Sequence, residues 1–228
     1  MTDILTRTKG VVIAEAGTNH ADPNPHKRVG KAARYAELAA EAGADIVKYQ
    51  IFANPIKDDM FCWLPGDEER AVHWRGSAMG LAEWAIIKSH AERLGLIFLA
   101  SVFQHTTVAW LEDMDCAATK VASRAAKDFP YHQGPKPHIV SNGMFDIPDR
   151  DGIIGMQCEA NYPSTDWWKG VLPGFSDHSG TPERAIDALK RGCRLVEVHF
   201  HDDPEDAGPN LPASLTVKEL SEVCKSVE

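Results

Sequence analysis

The sequence predicts an α/β fold of the closed (β/α)8 type, a TIM barrel, formed by residues 1–228 as a single domain. Eight short apolar runs are interspersed with segments of helical periodicity. Each run ends in polar or charged side chains, and active sites lie at that end of the strands in such barrels. The composition, 43% hydrophobic and 25% charged, is ordinary for a globular chain with one core.

The strands and helices follow from these periodicities. In the first helical segment Val29, Ala33 and Ala36 recur at helical spacing, and Gly43 follows the end of the segment, as helix-terminating glycines do. An open, doubly wound sheet is the alternative arrangement of the same elements. The apolar runs that predict strands are residues 10–14, 46–47, 96–100, 119–122, 137–140, 153–156, 172–175 and 194–198. The predicted helices are residues 25–42, 81–94, 106–114, 182–191 and 216–227.

The barrel is predicted to be shortened, with reduced helices around strands four to six. Only 13 residues separate Met144 from Cys158, and residues 128–137 are rich in proline and glycine. Strands without a covering helix leave apolar surface exposed, which usually marks an interface. Trp167 and Trp168 follow this region, so we expect an apolar patch there and, through it, a homodimer.

Charge and cysteine content exclude several classes of protein. With 24 basic and 33 acidic residues the formal charge is −9, which disfavours nucleic acid and anionic membranes as partners. No apolar run could span a membrane, and the first residues lack the apolar core of a signal peptide. The five cysteines form no CxxC pair, which disfavours a disulfide framework and a zinc ribbon. These features predict free thiols and a cytoplasmic location.

The polar run ends predict one site at the mouth of the barrel. A lysine, a serine or a buried histidine each has an ordinary structural explanation when taken alone. That explanation is weakened because all eight predicted strands end in polar or charged residues that would converge at one end of the barrel. Two lysines and several hydroxyls indicate an anion site, and His178 and His199 on neighbouring runs suit a transition metal. Glu197 shares a strand face with His199, and closure brings Glu15 beside them. The residues therefore predict metal-assisted chemistry on a phosphorylated acid.

Several of these segments together resemble the sialic acid synthase family, whose members condense phosphoenolpyruvate with an amino sugar. The matching segments occur in the family's order between residue 10 and about residue 225. They are residues 13–20 (IAEAGTNH), 44–50 (ADIVKYQ), 120–123 (KVAS), 141–144 (SNGM), 158–163 (CEANYP), 174–178 (GFSDH), 196–200 (VEVHF) and 208–210 (GPN).

The resemblance implies a role for each matching residue. It implies that His178 and His199 hold a divalent metal, usually Mn²⁺, with Mg²⁺ or Co²⁺ as alternatives, and that Glu15 and Glu197 order this centre. Tyr162 would line the sugar side as a third residue of the catalytic centre. The implied partners are phosphoenolpyruvate and an amino sugar or other aldehyde. The phosphate would be held by Lys120, Ser123, Ser141 and Ser176, the carboxylate by Lys48 and Ser101, and the rest of the substrate site formed by Gln50, Phe103 and Asn210.

Three departures from the family pattern qualify the expected activity. Ala125 stands where the family has a glutamate beside phosphoenolpyruvate, and Asn210 stands where it has an aspartate near the sugar. The family's C-terminal antifreeze-like domain has no counterpart in these residues. The expected function is a phosphoenolpyruvate-dependent, N-acetylneuraminate synthase-like transferase. The alternatives are a catalytically impaired barrel that binds phosphoenolpyruvate or a partner, and a related barrel lyase or aldolase.

Overall fold

The computed structural model describes residues 9–54, 59–131 and 136–227. Within them, eight parallel strands close into a barrel because the first strand pairs with both the second and the eighth. A ninth strand runs parallel beside the eighth, outside the closed ring. The strands are β1 (Val11–Gly17), β2 (Ile46–Ile51), β3 (Ile97–Val102), β4 (Thr119–Val121), β5 (His138–Ser141), β6 (Ile153–Cys158), β7 (Gly174–Asp177), β8 (Leu195–His201) and β9 (Ser214–Thr216). The predicted closed barrel is confirmed, and the open sheet is wrong.

Seven α-helices and one 3-10 helix occur in the described part of the chain. None of these helices combines the length and the apolar character needed to cross a membrane. The α-helices are α1 (Pro25–Ala42), α2 (Asp67–Ser77), α3 (Leu81–Arg93), α4 (His105–Asp113), α5 (Pro182–Lys190), α6 (Pro204–Ala207) and α7 (Val217–Lys225), and the 3-10 helix is Gly208–Ala213.

Helix α1 shows how local sequence sets these boundaries. The side chain of Asn24 accepts a hydrogen bond from the His26 backbone N–H, and Pro25 occupies the first helical turn, where its missing N–H costs nothing. Gly43 ends the helix with φ +91°, a left-handed conformation that glycine adopts without strain. The helix therefore begins and ends at the residues that the sequence predicts.

The arc from β4 to β7 has no helix among its described residues, so the predicted reduction of helices is confirmed. Side chains from loops cover this arc instead. A Cβ on Gly155 of β6 would lie 2.9 Å from both Ile147 and Leu172, so these two loop side chains pack directly onto the strand. Trp168 is buried here, in contrast to the expected exposed pair, whereas Trp167 is 47% exposed. The homodimer through this face stays a prediction.

The interior of the barrel is layered along its axis. Strand side chains alternate between the two faces of the sheet, so every second residue points inward. The lower interior layer is an apolar cluster made of Val11, Ile13, Ile46, Leu99, Ala118, Ile139, Met156 and Leu195. A second, larger apolar cluster contains the other strand faces and the helices. The interior positions above the lower layer are therefore left for the polar residues.

The structure differs from the sequence prediction in the strand ends, in strand β9 and in three unpredicted helical elements, α2, α6 and the 3-10 helix. Most strands extend past the predicted run, because polar site residues such as Glu15 continue the strand conformation. Helix α2 was not predicted, although three acidic residues in its first turn and buried Ala71 and Trp74 are helix signals. Strand β9 was not predicted, and its last residue, Thr216, was predicted as the first residue of the last helix.

Candidate active site

The site residues lie two positions after the residues of the apolar layer, on the same faces of the strands. Glu15 follows Ile13 by two positions, Lys48 follows Ile46, and Lys120 follows Ala118. The alternation that buries an apolar side chain therefore also points the next polar side chain into the barrel. The same spacing relates Leu99 to Ser101, Ile139 to Ser141, Met156 to Cys158, Gly174 to Ser176, and Leu195 to Glu197.

Strand register brings the first charged group together. Glu15 on β1 lies beside Lys48 on β2 and beside His199 on β8. The Lys48 ammonium is 2.8 Å from the Glu15 carboxylate and 3.5 Å from that of Glu197, and it donates to Ser101 Oγ at 3.1 Å. All four side chains are buried. These four residues, together with Lys120, Ser141 and Ser176 across the barrel, form a compact charged layer that we call the floor of the site.

A second cationic group lies across the barrel. Lys120 on β4 donates to Ser141 Oγ on β5 at 2.8 Å and lies 4.0 Å from Glu197. Ser176 Oγ donates to Glu197 at 2.9 Å, so Glu197 is shared between the two lysines. The Ser141 hydroxyl thus contacts a buried ammonium group directly, and the Ser176 hydroxyl contacts the carboxylate that the two lysines share. This is the chemistry of an anion site with two separate point charges.

The two carboxylates of the floor have opposite pKa shifts. Burial raises the pKa of Glu15 above its usual range, and Lys48 offsets this only in part. Burial also favours neutral Glu197, but Lys120 and then Lys48 outweigh it and hold its pKa below the usual range. Glu197 is therefore the permanent anion of the pair.

The two imidazoles face one point at the top of the floor. Nε2 of His178 and Nε2 of His199 lie 3.3 Å and 3.4 Å from the phenol oxygen of Tyr162. Nδ1 of His178 lies 2.6 Å from the Glu159 carbonyl oxygen, so it carries the proton and leaves Nε2 with a free lone pair. Burial lowers the pKa of both histidines, which keeps the rings neutral.

These residues fit a divalent metal as a two-histidine centre. Neutral imidazoles with convergent nitrogens are ligands for transition metals, and a backbone carbonyl that orients one ring is a usual second contact. In the described residues, no cluster of three or more histidine, cysteine, aspartate or glutamate side chains has the geometry of a metal site. The remaining ligand positions would therefore belong to water or substrate.

Above the floor lies a cavity of about 460 Å³. Its described lining includes six of the predicted residues, whereas the other eight lie beneath it in the floor or beside the imidazoles. The six are Gln50, Phe103, Ser123, Tyr162, His178 and Asn210. The eight are Glu15, Lys48, Ser101, Lys120, Ser141, Ser176, Glu197 and His199. All fourteen predicted residues thus belong to one continuous region at the C-terminal ends of the strands.

Sequence reasoning missed the residues that form one wall of the cavity. Arg70, His73 and Trp74 come from α2, and Arg124 follows β4. Their only signal in the sequence is the amphipathic pattern of α2, since nothing local shows that this helix folds over the mouth. Thr18 Oγ1 and His73 Nε2 are 2.7 Å apart, which connects α2 to the end of β1.

A buried ion pair connects α2 to the turn after β4. Arg124 donates to Asp67 in the first turn of α2 and, at 3.2 Å, to the carbonyl of Cys62. Its guanidinium also lies 5.3 Å from the ring centre of Trp74. Asp67 is only 3% exposed and the Arg124 side chain 11% exposed at the cavity, so the pair is largely buried.

Replacing Arg124 with methionine is expected to destabilise the fold by about 3–5 kcal/mol, because it leaves the buried Asp67 carboxylate without its partner. Urea unfolding monitored by circular dichroism measures this loss. The double variant Arg124→Met, Asp67→Leu removes both charges and should recover most of it. A double variant that is no more stable than Arg124→Met would contradict the ion-pair explanation.

The comparisons with known proteins agree with this architecture. The sequence model of the NeuB family matches residues 35–166 and 163–228. This chain belongs to the NeuB family. It is 28% identical over 254 residues to the spore coat polysaccharide biosynthesis protein SpsE of Bacillus subtilis, covering 95% of this chain and 66% of SpsE. It is 26% identical over 259 residues to N,N'-diacetyllegionaminic acid synthase of Campylobacter jejuni, covering 96% and 75%.

Solved structures show the same fold as this NeuB-family chain. The crystal structure of N-acetylneuraminic acid synthetase from Leptospira borgpetersenii superposes with a TM-score of 0.75 at 21% identity, covering 96% of this chain and 82% of that one. The NeuB-family chain spans about two thirds to three quarters of the curated relatives described above.

The NeuB-family chain has an apolar environment at Ala125. This residue is fully buried in the larger apolar cluster and is not part of the cavity lining, although Ser123 and Arg124 are. Asn210 is in the 3-10 helix and lines the cavity.

Proposed function

We propose that this chain catalyses the metal-assisted condensation of phosphoenolpyruvate with the aldehyde of an open-chain amino sugar. The observation that carries the proposal is the floor, where two buried lysines with hydroxyl partners lie beneath two convergent imidazoles. Membership of a family that includes N,N'-diacetyllegionaminic acid synthase supports the choice of donor and acceptor.

The two lysines divide the charges of phosphoenolpyruvate between them. Lys48 and Ser101 bind its carboxylate, and Lys120 binds its phosphate with Ser123, Ser141 and Ser176. Both ammonium groups are buried, so their attraction for the ligand is little screened by water. Glu15 and Glu197 offset the positive charges of the two lysines.

His178 and His199 would hold the divalent metal, for which we favour Mn²⁺. Bound there, a metal ion supplies Lewis-acid polarisation of the acceptor aldehyde. The chain's own residues orient the two reactants: Tyr162 and Gln50 line the acceptor side, and the floor fixes carbon 3 of phosphoenolpyruvate below it. Holding two reactants in contact removes much of the entropic barrier of a bimolecular reaction.

The reaction balances without an oxidant or reductant. Carbon 3 of phosphoenolpyruvate forms a bond to the aldehyde carbon, and the aldehyde oxygen takes a proton. Water adds its oxygen to carbon 2 and releases a proton. The bond between carbon 2 and the phosphate oxygen then breaks as the carbon 2 hydroxyl passes its proton to the leaving phosphate, which releases inorganic phosphate and leaves a 2-keto acid.

Phosphate release with a panel of amino sugars tests the proposal. We expect release that requires phosphoenolpyruvate, Mn²⁺ and a sugar together, with a product whose mass corresponds to sugar, phosphoenolpyruvate and water minus phosphate. Absence of phosphoenolpyruvate binding in calorimetry would contradict the proposal outright. Release of phosphate without a sugar would favour a different reaction in the same pocket.

A catalytically impaired barrel that binds phosphoenolpyruvate is the second candidate. Asn210 favours it, since this residue lines the cavity and lacks the carboxylate that the family pattern has there. This candidate requires calorimetric binding of phosphoenolpyruvate with no phosphate release from any sugar of the panel. Loss of a proton-handling group typically costs about 10²–10⁴ in rate, so slow turnover would still support the first candidate.

The variant Ala125→Glu is expected to lose stability without gaining turnover. Its new carboxylate would be buried among apolar side chains without a partner, which costs several kcal/mol. Thermal unfolding and phosphate release should be measured together. Lys127→Glu, an exposed position in the same turn, is the matched control and should leave both unchanged. Faster turnover at unchanged stability would show that a side chain at residue 125 reaches the cavity.

A further inference from the structure

The mouth of the cavity is cationic in an acidic protein. Its described lining contains two arginines, Arg70 and Arg124, but no aspartate or glutamate, although the chain as a whole has a formal charge of −9. Asn210, which also lines the cavity, carries an amide and no charge. A mouth lined by arginine without a carboxylate attracts anions, so this distribution indicates a negatively charged ligand group there.

The excess positive charge can be assigned to one residue. Arg124 is neutralised by Asp67, and the floor lysines are matched by Glu15 and Glu197. Arg70 has no ion pair or hydrogen bond with any residue in the ranges 9–54, 59–131 and 136–227, and its side chain is exposed at the cavity wall. Arg70 is therefore the cation of the mouth that is available to a ligand.

Helix α2 holds Arg70 on a rigid support. Besides the contact between His73 and Thr18, Nε2 of His20 lies 2.9 Å from the Ser77 carbonyl oxygen. Arg28 donates to the Ala78 carbonyl at 2.7 Å, just after the helix ends. These contacts join α2 to the first βα unit of the barrel. A guanidinium on a fixed helix binds an anion at a smaller entropic cost than one on a free loop.

From this arrangement we infer that Arg70 determines acceptor specificity by binding a phosphate or carboxylate group that the acceptor carries at the end remote from its aldehyde. The inference rests on the proposed condensation. Both charged groups of phosphoenolpyruvate have buried lysines in the floor, so an anion that reaches the mouth belongs to the acceptor. The planar guanidinium donates two parallel hydrogen bonds to either anion, which gives direction as well as charge.

Three acceptors test the inference: N-acetylmannosamine, its 6-phosphate and the corresponding 6-carboxylate. We expect kcat/KM for at least one anionic acceptor to exceed that of the neutral sugar by about tenfold or more. Arg70→Gln should reduce that value by about 10–100-fold, mainly through KM, and leave the neutral sugar unchanged. Arg70→Lys should retain part of the preference. Arg75→Gln, on the same helix but off the cavity wall, should change none of these values.

Calorimetry with Mn²⁺ but without phosphoenolpyruvate measures acceptor binding without turnover, so the inference can be judged even if no condensation occurs. Tighter binding of an anionic sugar, lost in Arg70→Gln and kept in Arg75→Gln, supports it and leaves the proposed reaction to the phosphate assay. Equal binding of the three sugars overturns it. An equal loss for neutral and anionic sugars in Arg70→Gln overturns it as well, because that pattern denotes a structural role. The phosphate and carboxylate probes identify which anion the site prefers.

Discussion

Replacing Lys120 with methionine is expected to reduce sugar-dependent phosphate release by about 10²–10³-fold, the usual effect of removing one charged donor from a buried site. Lys120 is buried, donates a hydrogen bond to Ser141 and lies near Glu197, so solvent does not compensate for the positive charge that the variant removes. Methionine keeps the length of the side chain and fills the same space. Phosphoenolpyruvate affinity, measured by calorimetry, should fall together with the rate.

Lys136→Met is the matched control for this variant. Lys136 precedes β5 at the opposite end of the barrel, where it pairs with exposed Asp115. Exposed pairs contribute about 0–1 kcal/mol, so stability and turnover should both be preserved. Unchanged affinity for phosphoenolpyruvate in folded Lys120→Met would show that the anion is bound elsewhere.

His199→Ala and His178→Ala are expected to remove Mn²⁺ binding and, with it, nearly all condensation. Loss of an outer hydrogen-bond partner of a metal ligand lowers metal affinity by roughly 10–100-fold. Each imidazole would be a direct ligand, so its loss should lower the affinity further. Titration of metal-free protein with MnCl₂ in a calorimeter measures this directly. The readout does not depend on turnover.

The control for the histidine variants is His26→Ala, an exposed position in the first turn of α1. It should bind Mn²⁺ as the natural chain does. Circular dichroism establishes that each variant is folded. Mn²⁺ affinity that is equal in all three variants would disprove the assignment of His178 and His199 as ligands.

The floor of the site was predictable from the sequence because regular strands determine it. A period of two residues puts Ile13 and Glu15 on one face, and parallel register then brings Glu15 beside Lys48 and His199. Neither step depends on a long-range side-chain contact. The order of apolar runs and their polar ends therefore favoured the closed barrel over the open sheet and predicted that Glu15, Glu197 and His199 lie together, whereas the roles of the individual site residues came from the family resemblance.

The wall of the cavity was not predictable in the same way. Helix α2 is placed by contacts between distant residues, namely His73 with Thr18 and Arg124 with Asp67, and no local pattern encodes these. Ala125 illustrates a second limit, since it lies in an irregular turn after β4. Its backbone N–H donates to the Ala122 carbonyl, and no fixed period tells which side chains of such a turn face the cavity.

If the proposed ligand binds at the floor, the lack of helices over the arc from β4 to β6 ties substrate supply to the lifetime of the protein. Segments without a covering helix open locally more often than those under helices, and Lys120 and Ser141 lie on strands of this arc. A ligand bridging these residues and Lys48 binds only the closed arc. At about 100 times its dissociation constant, it makes opening about 100-fold rarer. Proteases that cleave the open form would therefore act mainly on chains whose substrate has run out.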